Sequence, residues 1–81
     1  LVARGAALVG IDTPSADPLD PVLGCPSHRI LLGAGVPIVE GLCNLGAVPN
    51  TPGALWFGCF PLKLEGVDGS PVRAVAFTGS L

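Results

Sequence analysis

The chain has 81 residues, a formal net charge of −2, 49% hydrophobic and 12% charged residues, and a mean hydropathy of +0.68. Its four basic residues are scattered, so no phosphate-binding stripe forms and nucleic acid is not an expected partner. No apolar run approaches the roughly 18 residues of a spanning helix, and no secretory leader pattern is present, so no membrane role is expected.

An ordinary soluble domain carries about a quarter charged residues. So apolar a chain is expected to lay part of its surface against something else, either the rest of a larger domain or a partner. It begins with Leu1 rather than Met, as expected of a piece that begins inside a longer product, follows processing or has been cut from one. The cysteines Cys25, Cys43 and Cys59 are widely spaced with no C-x-x-C pair. This argues against a disulfide framework and for a reducing, cytoplasmic compartment, with each thiol a small buried apolar residue.

In chain order, Ala6–Ile11 reads as a buried strand. The following stretch holds Pro14, Pro18, Pro21 and Pro26 with three aspartates, a composition that makes an ordered loop. There Asp12, Thr13, Ser15 and Asp17 are expected to hold their own backbone through Asx- and Ser/Thr-type turns. Pro26 suits the first turn of a helix running to about Ala34, with Ile30, Leu31 and Ala34 as its core face and Gly35 as a left-handed cap.

Val36–Leu42 has β-branched strand propensity, with Pro37 at its start or on an edge. A single helical turn is expected within Leu42–Val48 and a turn at Asn50–Gly53. Ala54–Leu64 and Pro71–Thr78 read as two strands joined by a Gly- and Asp-rich reversal. Lys63 and Glu65 alternate, so they would share one solvated strand face. The fold class is mixed α/β, with a short helix and about four strands.

Chemistry is concentrated in the sole histidine, His28, and in Glu40. From His28 to Ala34 a helix rises roughly 9 Å. From Val36 to Glu40 a strand rises roughly 13 Å. A reversal at Gly35 therefore returns the carboxylate toward the imidazole, giving half of a metal site, since a catalytic zinc takes three protein ligands. A helix N-terminus lowers the proton affinity of an imidazole, which suits a neutral ligand. The bland alternatives are a hydrogen-bonded structural His28 and a Glu40 that faces solvent or pairs with Arg29. No Gly-rich phosphate loop and no Ser–His–Asp series exists, and no complete hydrolytic site is encoded. No residue is assigned as catalytic.

Four segments in order carry a resemblance: Gly10-Ile11-Asp12-Thr13-Pro14-Ser15-Ala16-Asp17-Pro18, Ser27-His28-Arg29-Ile30-Leu31-Leu32, Gly35-Val36-Pro37-Ile38-Val39-Glu40-Gly41-Leu42, and the stretch from Pro61 to Val75. Together they resemble the C-terminal part of the cyclase family of metal-dependent hydrolases, which includes the bacterial-type kynurenine formamidases (arylformamidases) and isatin hydrolases. The resemblance implies that residues 1–81 are the C-terminal portion of a single swivelling β/β/α domain. It implies a centre of zinc, or manganese in some members, with His28 and Glu40 as metal ligands.

The implied reaction is metal-assisted hydrolysis of a small amide or formamide, as from N-formylkynurenine to kynurenine in tryptophan catabolism. The family's histidine-rich H-x-G-T-H-x-D-type motif is absent from this chain. The expectation is therefore a fragment inactive by itself, completed by the missing part. The alternative is a non-catalytic interaction module that binds an intact relative or itself.

Overall fold

In the computed structural model, which describes residues 1–50 and 55–78, strands β1 (Val9–Gly10) and β2 (Ile38–Val39) pair in parallel. Val9 lies opposite Ile38 and Gly10 opposite Val39. Parallel neighbours need a crossover, and helix α1 (Pro26–Gly33) supplies it. The strands are shorter than the expected Ala6–Ile11 and Val36–Leu42. Pro37 offers no amide before β2, and Gly41, at φ 67°, turns the chain away just after it. The backbone nevertheless stays paired beyond the strands. Ile11 N–H donates to Val39 O at 2.9 Å, Gly41 N–H to Thr13 O at 2.8 Å and Leu42 N–H to Ile11 O at 3.0 Å.

The end of α1 follows from its sequence. Gly35 takes φ 76°, its N–H reaches Leu32 O at 3.0 Å, and Val36 N–H reaches Leu31 O at 2.9 Å. This is a Schellman closure, accompanied by the apolar contact typical of it: Leu31 and Val36 are both buried, and with Val39 they form the small core. The expected core face is corrected here. Ile30 is 64% exposed and Ala34 is exposed too. A short helix meeting one short strand covers only the side on which Leu31 points.

These elements lie in a compact unit of Leu1–Leu45; a second unit covers Gly46–Leu81. The second unit is built on β3 (Leu55–Pro61) and β4 (Val72–Thr78), paired antiparallel with Trp56 opposite Phe77 and Pro61 opposite Val72. Pro61, which has no N–H, closes the ladder, so Lys63 and Glu65 lie in the connection rather than on a strand. Within that connection Leu62 N–H donates to Ser70 Oγ at 3.0 Å. Short 3-10 turns occupy Val2–Arg4 and Leu45–Ala47, the latter inside the expected Leu42–Val48 turn. The expected turn at Asn50–Gly53 and the start of the expected strand at Ala54 fall largely on residues 51–54, outside the described residues. One helix and two small sheets of two strands each make the described chain a mixed α/β structure.

Candidate functional site

Because β1 and β2 run parallel, the segments leaving their C-terminal ends emerge side by side. In open parallel sheets ligands are bound outside these strand ends. Here the loop after β1 meets Glu40, the first residue after β2, and the first turn of α1. Thr13 Oγ1 donates to Ser15 O at 2.7 Å, and Asp17 N–H donates to Ser15 Oγ at 3.1 Å. The expected Ser/Thr turns are therefore present, and they hold the loop in shape.

Asp17 does something else. Its Oδ1 accepts from Ser27 N–H at 2.8 Å, and its Oδ2 accepts from His28 N–H at 2.9 Å. These are unsatisfied amides of the first helical turn. The residue at the N-cap position, Cys25, makes no side-chain cap bond and sits at φ 51°. Asp17 thus caps the helix from ten residues upstream, and its charge also suits the positive helix end.

The same Oδ2 stands 2.5 Å from His28 Nδ1. On the other side of the ring, His28 Nε2 is 2.6 Å from Glu40 Oε1, which also accepts from Ala16 N–H at 3.0 Å. The result is a linear Asp17–His28–Glu40 array. Its Asp17 end is buried, with the side chain 2% exposed, whereas His28 and Glu40 are 29% and 30% exposed. The structure brings His28 and Glu40 together, as the turn at Gly35 led one to expect. Among the described residues, Glu40 pairs with His28 rather than with Arg29.

The electrostatics depart from the sequence expectation. The hydrogen bond to Asp17 raises the His28 pKa above 6.5; burial opposes it, and Glu40 adds to it. Two carboxylates thus outweigh the helix N-terminus, which by itself would favour the neutral ring. Burial also works against the Asp17 carboxylate, but the hydrogen bonds from His28 and Ser27 overcome it. They hold the group well below the ordinary carboxylate range.

Asp17 is the member that sequence reasoning missed. Its sequence context points to a local turn, and nothing in one sequence reports that its carboxylate crosses a Pro-rich loop to reach residues 27 and 28. Asp17, Cys25 and His28 also form a cluster whose donor atoms lie within 4.8 Å of one another. The cysteine expectation needs correction: Cys25 and Cys43 are exposed and Cys59 is only half-buried, all three as free thiols. A core this small leaves no room to sequester them.

Over 75 residues, 93% of its length, the chain is 47% identical to the kynurenine formamidase of Salinibacter ruber, covering 34% of that protein. Over these residues the chain is a homologue of kynurenine formamidases. A kynurenine formamidase from Geobacillus thermodenitrificans is 46% identical over 70 residues, 86% of this chain and 32% of that protein. One from Polaromonas naphthalenivorans is 43% identical over 75 residues, 93% of this chain and 32% of that protein. The chain spans about a third of the length of these kynurenine formamidases. No family model and no solved structure matches it. Among the described residues no helix is long and apolar enough to cross a membrane.

Proposed function

We propose that this chain contributes part of the metal centre of a hydrolase that cleaves the formamide of N-formylkynurenine. In this reading His28 Nε2 and Glu40 Oε1 hold a divalent ion, zinc or manganese. The observation that carries it is the convergence of these two donor atoms, 2.6 Å apart at a partly exposed site, in a kynurenine formamidase relative.

The donor set fits such an ion. An imidazole nitrogen and a carboxylate oxygen are both zinc ligands, and the exposed side leaves space for further ligands. An ion held there would replace the proton that links Nε2 and Oε1 when the two atoms are hydrogen-bonded.

When bound, the ion polarises the scissile carbonyl and activates water. The residues of this chain hold and orient it. His28 presents Nε2, Glu40 supplies negative charge, and the Ala16 amide fixes the Glu40 carboxylate. The chain holds no second histidine, so neither residue is assigned as the base. The swivelling β/β/α architecture, the small-molecule substrate and the cytoplasmic placement belong to the same proposal, supported by kinship.

The test is a chimera in which residues 1–81 replace the matching third of the Salinibacter ruber enzyme. It is expected to hydrolyse N-formylkynurenine with zinc or manganese, and to lose metal and turnover with His28→Ala or Glu40→Gln. The 81-residue chain alone is expected to show no turnover. Retained metal and turnover in a folded His28→Ala chimera would refute the assignment.

A further inference from the structure

We propose that Asp17 is a positioning residue that fixes the proton on His28 Nδ1, so that Nε2 keeps its lone pair toward the Glu40 side. The inference rests on the metal reading above and extends it to a residue that reading does not contain. Three N–H groups converge on the two oxygens of Asp17: Ser27 N, His28 N and His28 Nδ1. An ionised carboxylate only accepts hydrogen bonds, so Nδ1 must donate. With a side chain 2% exposed, Asp17 has little access to water as a substitute partner. Losing the Nδ1 proton would leave a buried carboxylate facing a lone pair.

Nε2 faces Glu40 across a site where both side chains are partly exposed, 29% and 30%. The geometry is that of a carboxylate–histidine pair behind a metal, the buried carboxylate selecting the tautomer and aiming the ring. The backbone amides of Ser27 and His28 make this aim rigid, because they tie the same carboxylate to the helix that carries the imidazole. The loop does this twice, since Ala16 N–H holds Glu40 Oε1 at 3.0 Å. Neighbouring residues 16 and 17 therefore orient both proposed ligands.

This reading competes with one in which Asp17, Cys25 and His28, whose donor atoms lie within 4.8 Å, ligate an ion directly. Against that alternative, both Asp17 oxygens and Nδ1 are already engaged with each other or with the helix amides.

The test uses the 81-residue chain labelled with nitrogen-15. With a single histidine in the sequence, the imidazole gives one set of signals. At alkaline pH with chelator present, the Nδ1–H tautomer is expected in the unmodified chain. Asp17→Asn, whose amide can donate to Nδ1, is expected to shift it toward Nε2–H. It should also weaken zinc binding, measured with zinc alone against a chromophoric chelator, by about 10–100-fold.

Cys25→Ser is expected to leave zinc affinity unchanged, and the unmodified chain is expected to show no thiolate band when cobalt replaces zinc. An Nε2–H tautomer in the unmodified chain, with α1 shown to be formed by its Cα shifts, overturns the proposal without any variant having to fold. Loss of zinc binding in Cys25→Ser overturns it in favour of direct ligation by the cluster. If the chimera takes up no metal but the chain shows the tautomer shift in Asp17→Asn, the metal reading fails and the positioning role stands.

Discussion

His28 is a ring gripped from both sides, and its two neighbours differ in what they can release. The raised His28 pKa means that the folded chain binds this proton more tightly than the unfolded one, whose imidazole titrates near 6.5. The resulting stabilisation is complete below that value and is lost as pH rises through the folded pKa. Asp17 is lowered from 3.8, so its contribution is complete above that value and is lost as acid drives the pH down toward the folded pKa. With chelator present, the urea midpoint is expected to be highest between pH 3.8 and 6.5 and to fall on either side. A midpoint that stays flat as pH rises through neutrality would contradict the array. At this scale the sequence was half legible. His28 and Glu40 stood out because one is unique and the other is a charge in an apolar run. Asp17 did not, because it is one aspartate among several in a loop that suits aspartates anyway.

At the scale of elements, α1 was the most legible part, since Pro26 and Gly35 mark its ends by different physics. Proline fits a first helical turn, while glycine fits the left-handed residue beyond the last. A contrast follows. A Cβ added at Gly33 or at Gly35 would meet nothing within 4 Å, but only Gly35 has a positive φ, 76°. Gly35→Ala is therefore expected to cost about 1–2 kcal/mol in denaturant unfolding. Gly33→Ala, on the helix itself, is expected to stabilise by up to about 1 kcal/mol. Equal effects would mean that backbone conformation is not what closes the helix. The strands were less legible in extent than in position. Val9–Gly10 and Ile38–Val39 are short for a reason other than the length of the apolar run. The regular ladder is bounded by Pro37, which has no amide to donate, and by the turn at Gly41, beyond which the backbone bonds shift register.

Across the whole molecule, composition foretold a surplus of apolar surface, and β3 and β4 carry much of it. Alternation puts Leu55, Phe57 and Cys59 on one face of the hairpin and Trp56 and Phe60 on the other, with Phe77 opposite Trp56. Trp56 is 52% and Phe60 59% exposed. Strands apolar on both faces are the kind a larger fold covers twice, and a lone hairpin is marginal in water. Concentration-dependent association on size exclusion is therefore expected. Trp56→Ser with Phe77→Ser should reduce it while leaving the His28 imidazole signals in place. Elution as a monomer at every concentration would remove the motive for expecting a partner. What composition could not say is which elements bear the surplus, because that depends on how few residues the small core of Leu31, Val36 and Val39 shelters.

The Asp17–His28–Glu40 array also governs the electrical balance of the polypeptide. The chain has six acidic and four basic residues; setting aside Asp17 and Glu40 leaves four of each. Asp17 and Glu40, which flank one imidazole, together carry a formal charge equal to the whole excess of −2. Capture of a single dication there, with the ring neutral, brings the polypeptide to electroneutrality and strips away the mutual repulsion between copies. Zinc is accordingly expected to slow migration toward the anode in native electrophoresis and to promote precipitation, whereas the Glu40→Gln chain should show neither response.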